Sequence, residues 1–396
     1  MNPRTVVIAF GGISPEHEVS VLTAMQAFAA LDEERSLRLL PLYVSKAGHW
    51  YTGDTLKELS GYEDVDRTLK QASLCTFARN RHGRPVLRTE KSGLFSRPEE
   101  HVIDVVLISF HGSDGENGAF QGLCESWRIP YTGCNVLSSA LGMDKVTAKA
   151  VCRAHQIPVV DERSFYESEW EQDQTEIVDS AEELGYPLIV KPVHLGSSIG
   201  VARAEDRDQL ITHIEMAFRY DDQLLVEKAV TPLMEINCSV LGSTTDCRAS
   251  VCERPLGSEE LLSFRDKYQS DEGEAKGMAS AAREIPAVIS EELTREIQET
   301  SRRIFTIFKA SGVARLDFLV NADTGEFFFN EINTIPGSFS FYLWDHSGTD
   351  FRSLLLELID LALARHRHKT GRIQSYDTNL LSQKAAKGLK GLKGSK

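Results

Sequence analysis

Val313-Ala314-Arg315-Leu316-Asp317-Phe318-Leu319-Val320 and Glu326-Phe327-Phe328-Phe329-Asn330-Glu331-Ile332, joined across Asp323-Thr324-Gly325, decide how this chain is read. Two apolar runs flanking a turn of this composition predict a β-hairpin. Side chains alternate along a strand, so Arg315 and Asp317 share one face, as do Glu331 and Asn333 on the next strand. If the hairpin pairs in simple register, Asp317 comes close to Glu331. Two carboxylates and an amide form a hard oxygen set, suited to magnesium held by few protein ligands plus nucleotide phosphates. Arg315 beside them is placed to neutralise an anionic intermediate. The plain alternative is a solvated hairpin with ordinary charges. Leu316, Phe318, Phe328 and Ile332 argue instead that one face is buried.

Pro187 to Val190 reads as a strand leading into Lys191-Pro192 and the loop Gly196-Ser197-Ser198-Ile199-Gly200. Glycine lets backbone amides approach phosphate oxygens, serine hydroxyls add donors, and Lys191 adds a point charge. The spacing is not that of a P-loop, and Gly-Ser turns are common. Gln223 to Val226 is a further strand, ending at Glu227-Lys228, with Glu235 shortly after. A carboxylate there suits ribose hydroxyls and a strand-end backbone suits adenine. Pattern alone leaves these residues, and Lys145 in Met143-Asp144-Lys145, open between that role and ordinary surface charge. Residues 257–283 are polar without periodicity, and so long a loop is usually functional. It carries Lys267-Tyr268, incidental unless the loop closes as a lid.

At the N-terminus, Val6 to Phe10 reads as a buried parallel strand ended by Gly11-Gly12. Ser14 as N-cap and Pro15 in the first turn then open a helix carrying Val19, Leu22 and Met25. Val102 to Phe110 reads as a second such strand, ending at His111-Gly112. Two strands ending in glycine loops place a site at their C-terminal ends. Glu16 there either answers the helix dipole or captures a substrate ammonium. Residues 52–100 read as an irregular polar insertion. Helices are expected over Glu291 to Ala310 and Asp350 to Ala364. The class is α/β, and α+β overall.

A chain of 396 residues with 41% apolar content exceeds one compact domain. Its net charge of −14 excludes a nucleic-acid surface unless a basic patch is segregated. Seven scattered cysteines without metal spacing read as reduced, buried thiols of a cytoplasmic protein. No apolar run spans a bilayer, and no signal-peptide core appears, so neither membrane insertion nor export is expected. Lysines at every third position from Lys384 to Lys396 read as a solvated, disordered tail.

The order of these motifs resembles that of the D-alanine–D-alanine ligases. Gly11-Gly12-Ile13-Ser14-Pro15-Glu16-His17-Glu18-Val19-Ser20 is similar to the family's opening motif. So are His111-Gly112 with Gly115-Glu116-Asn117-Gly118 and Gln121-Gly122, Pro130-Tyr131-Thr132-Gly133, Met143-Asp144-Lys145 and Val190-Lys191-Pro192. The glycine–serine loop, Val226-Glu227-Lys228, Arg315-Leu316-Asp317 and Asn330-Glu331-Ile332-Asn333-Thr334-Ile335-Pro336-Gly337 complete the series over roughly residues 5–345. The resemblance implies an ATP-grasp fold in three domains, 1–144, 145–237 and 238–368, followed by the tail 369–396. It implies ATP held by Lys145, Lys191, Gly196, Ser198, Glu227, Lys228, Val230 and Glu235, and two magnesium or manganese ions on Asp317, Glu331 and Asn333. By the same resemblance, Glu16, Ser197 and Tyr268 form a catalytic network with Arg315, and His111, Lys267 and the Gly337 amide meet the substrates. A homodimer is also implied. Activity would be ATP-dependent joining of two D-alanines through an acyl phosphate, for peptidoglycan precursors. One departure stands out. The segment from Gly337 to Leu343-Trp344 is several residues shorter than the family's, which leaves Ser338 and Ser340 as candidates to hold the acceptor carboxylate. A different acceptor, such as D-serine or D-lactate, and a non-catalytic ATP-binding regulator are the alternatives. Tyr268 favours an amine acceptor.

Overall fold

The computed structural model describes residues 3–90, 97–256, 283–373 and 375. The first sheet comprises β1 (Arg4–Gly11), β2 (Leu37–Val44), β3 (Trp50–Thr52), β4 (Ser73–Arg79), β5 (Pro85–Thr89), β6 (Glu100–Val102) and β7 (Val105–Ile108), ordered β6-β5-β4-β3-β2-β1-β7. Only β1, β2 and β7 are parallel. β1 is apolar from Val6 to Phe10, where both its faces are covered. Val6, Ile8 and Phe10 face one core, with helix His17–Leu31 and the last helix Phe351–Thr370; Val7 and Ala9 face another.

Three expectations need correction here. The described residues of 52–100 do not form an irregular insertion: helix Val65–Gln71 lies among them and the antiparallel strands β4, β5 and β6 extend the sheet. These strands are short and half exposed, so their alternation is too brief to stand out from a polar background. The run from Val102 to Phe110 is two strands, broken at Ile103-Asp104, where the Asp104 carboxylate accepts from the Thr5 amide at 2.8 Å. Ser14 does not cap the first helix, which begins at His17; its hydroxyl accepts from the Glu16 amide at 3.0 Å inside the preceding turn.

The second sheet is β8 (Glu162–Tyr166), β9 (Leu188–Pro192), β10 (Ala202–Ala204) and β11 (Gln223–Lys228), in the order β10-β9-β11-β8. The third is β12 (Leu233–Gly242), β13 (Cys247–Pro255), β14 (Arg283–Glu284), β15 (Gly312–Asn321) and β16 (Phe327–Asn333), in the order β14-β13-β12-β15-β16. Helix Glu291–Ile307 covers its apolar face through Leu293, Ile297, Ile304 and Phe305. Leu354, Leu355, Leu358 and Ile359 of the last helix join one core with Val6 and Ile8 of the first sheet and Leu241 and Val313 of the third. That shared core fixes the cleft between the sheets. All seven cysteines are free, and only Cys247 is not fully buried.

Candidate active site

The deciding hairpin pairs as the alternation requires. Asp317 lies opposite Glu331 and Arg315 opposite Asn333. Across the sheet, Asn237 of β12 pairs with Asp317, and Glu253 of β13 with Asn237. Directly opposed residues share a face. Glu253, Asn237, Asp317 and Glu331 therefore form one polar row across four strands, facing the cleft. Arg315 donates to both carboxylate oxygens of Asp317, at 2.7 Å each, and Asn333 adds a third bond at 3.0 Å. Burial opposes charge on Arg315, but the Asp317 carboxylate more than offsets it and holds its pKa well above the usual value.

Lys145 opens helix Lys145–Ala154, capped by the Asp144 side chain, which accepts from the Thr147 amide at 2.8 Å. Its ammonium lies 3.2 Å from Glu331 and donates to the Leu195 carbonyl at 2.6 Å, tying the metal-type row to the glycine loop. In that loop Ser197 and Ser198 take left-handed conformations (φ +54° and +57°). Ser197 donates to Glu16, whose own carboxylate sits against Gly196 and Gly112. Gly112 has φ +67°, and a Cβ there would come within 2.6 Å of Glu16 Oε2, so only glycine fits.

Two further groups close the N-terminal wall. Glu116 accepts from the amides of Gly112 (3.0 Å) and Ile335 (3.1 Å), clamping the loop after β7 onto the segment after β16. Burial, with the charge of Glu16 adding to it, pushes the Glu116 pKa up to about 7. His111, with Nε2 2.8 Å from Thr23 Oγ1, is buried, and that burial lowers its pKa to about 4.

Beneath the cleft lies a buried charge cluster. Glu227, 1% exposed, is gripped by Lys149 and Lys191; Lys191 also donates to Asn330 at 3.0 Å, and Lys149 lies 3.4 Å from Glu162. Burial raises the Glu227 pKa, but the two ammonium charges prevail and hold it at about 2.

The structure thus brings Glu16, His111, Lys145, Gly196, Ser197 and Glu235 into one cleft with Arg315, Asp317, Glu331, Asn333 and Gly337. Lys191 and Glu227, in the buried cluster beneath, do not line it. Ser198, Lys228 and Val230 do not line it, nor do Ser338 and Ser340. Lys267 and Tyr268 lie outside the described residues, as does the tail beyond residue 375. Ser338, Phe339 and Ser340 form a left-handed turn (φ +52°, +55° and +51°). This arrangement costs roughly 1–2 kcal/mol per residue. It is held by the Ser338 amide donating to Thr23 at 3.1 Å and by Phe339 buried in the shared core. Both serines are buried by this turn, and the Ser340 hydroxyl has no hydrogen-bond partner among the described residues. Sequence reading missed Glu116, Lys149, Asn237, Glu253 and Arg283. Two carried a signal: Lys149 is one helical turn after Lys145, and Asn237 shares a strand face with Glu235.

Three sheets around a cleft, with two lysines on one side and a carboxylate-bearing hairpin on the other, define an ATP-grasp enzyme. The family models described as D-ala D-ala ligase N-terminus and C-terminus match residues 5–134 and 151–360, and the chain belongs to the D-alanine–D-alanine ligase family. It is 38% identical to the D-alanine–D-alanine ligase of Thermosipho melanesiensis over 380 residues, covering 96% of this chain and 99% of that one. It is 36% identical to that of Bacillus cytotoxicus over 367 residues, covering 91% and 96%. Among solved structures, the D-alanine–D-alanine ligase of Coxiella burnetii superposes with a TM-score of 0.78 at 29% identity, covering 98% of this chain and 99% of that one. The VanG D-Ala:D-Ser ligase of Enterococcus faecalis superposes with a TM-score of 0.74 at 28% identity, covering 91% and 99%. No helix among the described residues is long and apolar enough to cross a membrane.

Proposed function

We infer that this chain joins two molecules of D-alanine into D-alanyl-D-alanine with conversion of ATP to ADP and phosphate, as a step of peptidoglycan precursor synthesis. The observation that carries the reading is the register of β15 on β16, which sets Asp317 against Glu331 and Arg315 against Asn333 in the cleft that also holds Glu16 and Lys145.

A carboxylate is a poor electrophile because its leaving group would be oxide. Phosphorylation of the first D-alanine by ATP makes an acyl phosphate; the amine of the second attacks the carbonyl carbon, gives up a proton, and phosphate leaves. Glu16, steadied by Ser197, takes the first substrate's ammonium. Lys145 and Lys191 meet the nucleotide phosphates, with the glycine–serine loop, Glu227, Lys228, Val230 and Glu235 completing the ATP site. Arg315 and the Gly337 amide stabilise the tetrahedral oxygen. Asp317, Glu331 and Asn333 are the residues that would hold magnesium or manganese, as two ions. The donor set fits: each carboxylate oxygen has two lone pairs, so Asp317 keeps acceptor capacity beyond its bonds to Arg315 and Asn333. Bound metal supplies charge neutralisation on the transferred phosphoryl group. Tyr268 and Lys267 would complete the network from the lid.

We place the domains at 1–144, 145–232 and 233–368, moving the second boundary forward because β12 pairs with β15 from Leu233 onward. A cytoplasmic homodimer is the proposed state, to be checked by sedimentation. The test of function is ATP-dependent phosphate release over single D- and L-amino acids with mass analysis of products. D-alanyl-D-alanine as the main product is expected; a dipeptide formed only from another pair, or none, would overturn the reading.

A further inference from the structure

The second substrate brings a carboxylate into a cleft that must exclude water, and a buried carboxylate needs a cationic or strongly donating partner. Neither serine after Gly337 lines the cleft. Among the described residues three cationic side chains do: Lys145, Arg315 and Arg283. Lys145 stands at the Glu331 end of the polar row, and Arg315 spends two nitrogens on Asp317. Arg283 stands at the opposite end. Its Nη1 donates to Glu253 at 2.7 Å, and its guanidinium carbon lies over the Tyr342 ring, 4.1 Å from the centroid. Glu253 is itself fixed by Asn237 Nδ2 (3.1 Å) and the Tyr342 hydroxyl (3.2 Å). Tyr342 belongs to the shortened segment, so the same stretch of chain that buries the serines positions the arginine.

Resting on the ligase reading, we propose that Arg283 determines specificity for the second substrate: it takes that molecule's carboxylate, and the acceptors admitted are small amino acids with that group free. Spacing supports this. Glu253 is two strands from Asp317, about 10 Å along the row at ~4.8 Å per strand. The acceptor carboxylate lies one residue, ~3.5 Å, past the reacting carbonyl, which itself lies past the phosphoryl group. The Lys145 end is taken by phosphate chemistry, which leaves the Glu253 end for the acceptor. A guanidinium has five N–H donors, so Arg283 keeps Glu253 while binding a second carboxylate, and Arg315 offsets the added negative charge.

The test is an internal competition. Wild type, Arg283→Met and Arg283→Lys are each given ATP, magnesium, D-alanine as donor, and a mixture of D-alanine and D-alaninamide as acceptors; the two products are counted by mass. A hydrogen bond to a charged group contributes about 1.5–3 kcal/mol. At 1.4 kcal/mol per tenfold, wild type should favour D-alanine by roughly 10- to 100-fold. In Arg283→Met the preference should collapse to within about threefold of unity while the donor KM changes little, and Arg283→Lys should fall between. A purely structural arginine would slow both products together and leave their ratio unchanged, and that result overturns the assignment. Should Arg283→Met fail to fold, the ratio in Arg283→Lys decides by the same criterion. An active wild type with an unaltered ratio in the variants sinks the role of Arg283 alone, whereas a wild type that makes neither product sinks the ligase reading and this inference together.

Discussion

Glu227 and Asp317 are both acids held by cations, yet they sit in opposite settings. Glu227 lies beneath the cleft between two ammonium groups, its charge matched on both sides and closed to solvent. Asp317 lies on the cleft wall, shares its oxygens with Arg315 and Asn333, and stays 14% exposed. The first arrangement suits holding β9, β11 and helix Lys145–Ala154 together; the second keeps acceptor capacity for a ligand. Stability should therefore depend more on the first and the chemical step more on the second, whatever Glu227 also contributes to holding ATP.

The largest effect expected is on the wall. Asp317→Asn removes a negative oxygen from the proposed metal set and should cut turnover on the order of 10³-fold. Its melting temperature should fall less than that of Glu227→Gln, since one amide oxygen can still accept from Arg315 and the site opens to the cleft. Near-normal steady-state turnover would break the contrast. Next comes the floor. Glu227→Gln leaves two buried ammonium groups without their partner, a change that costs about 3–5 kcal/mol. At ~2–4 °C per kcal/mol, melting should fall by roughly 6–20 °C. The sign with pH follows from the depressed pKa. The stabilisation is present above the ordinary value of 4.5 and is lost as pH falls toward about 2, so wild type and Glu227→Gln should converge in that window. Calorimetry from pH 7 downward would check it; a constant gap would mean that the lysines stabilise Glu227 by packing alone.

The same contrast explains what was legible in the sequence. The hairpin was readable because a strand's period of two puts Arg315 with Asp317 and Glu331 with Asn333 whatever the rest of the chain does. Lys149 was not, because a lysine four residues after Lys145 looks like any solvated helix face until β8 and β11 bring Glu162 and Glu227 against it. Glu253 and Arg283 became meaningful only through the pairing of β12 with β13 and of β13 with β14, contacts set by topology rather than by local pattern. The burial of the serines after Gly337 has a backbone origin that no pattern announces: Ser338, Phe339 and Ser340 are three consecutive left-handed residues.

That turn gives a smaller effect of opposite sign. Ser340 has φ +51° and a buried hydroxyl with no partner among the described residues. Ser340→Gly relieves both costs, partly offset by the added freedom of the unfolded chain, and should stabilise by about 1 kcal/mol. Strain of this kind is expected beside the reacting end of a cleft rather than in its floor. Unfolding by denaturant would measure it, and a destabilised variant would mean that the hydroxyl is in use.

The smallest effect uses a third ion pair that lies between the extremes. His194, just before the glycine–serine loop, has Nδ1 3.0 Å from Asp221 and Nε2 3.8 Å from Asp144, and it is partly exposed. The hydrogen bond to Asp221 outweighs partial burial and raises its pKa above the usual value of 6.5. For a raised base, stabilisation is fully present below 6.5 and is lost as pH rises through the shifted value. Wild type should therefore exceed His194→Ala in melting temperature near pH 6, and the gap should narrow by pH 9, where the imidazole is neutral. Exposure keeps the effect small, because solvent screens the pair. A gap that held across that range would show His194 acting as a neutral donor to Asp221, as fixed in function as the lysines on Glu227.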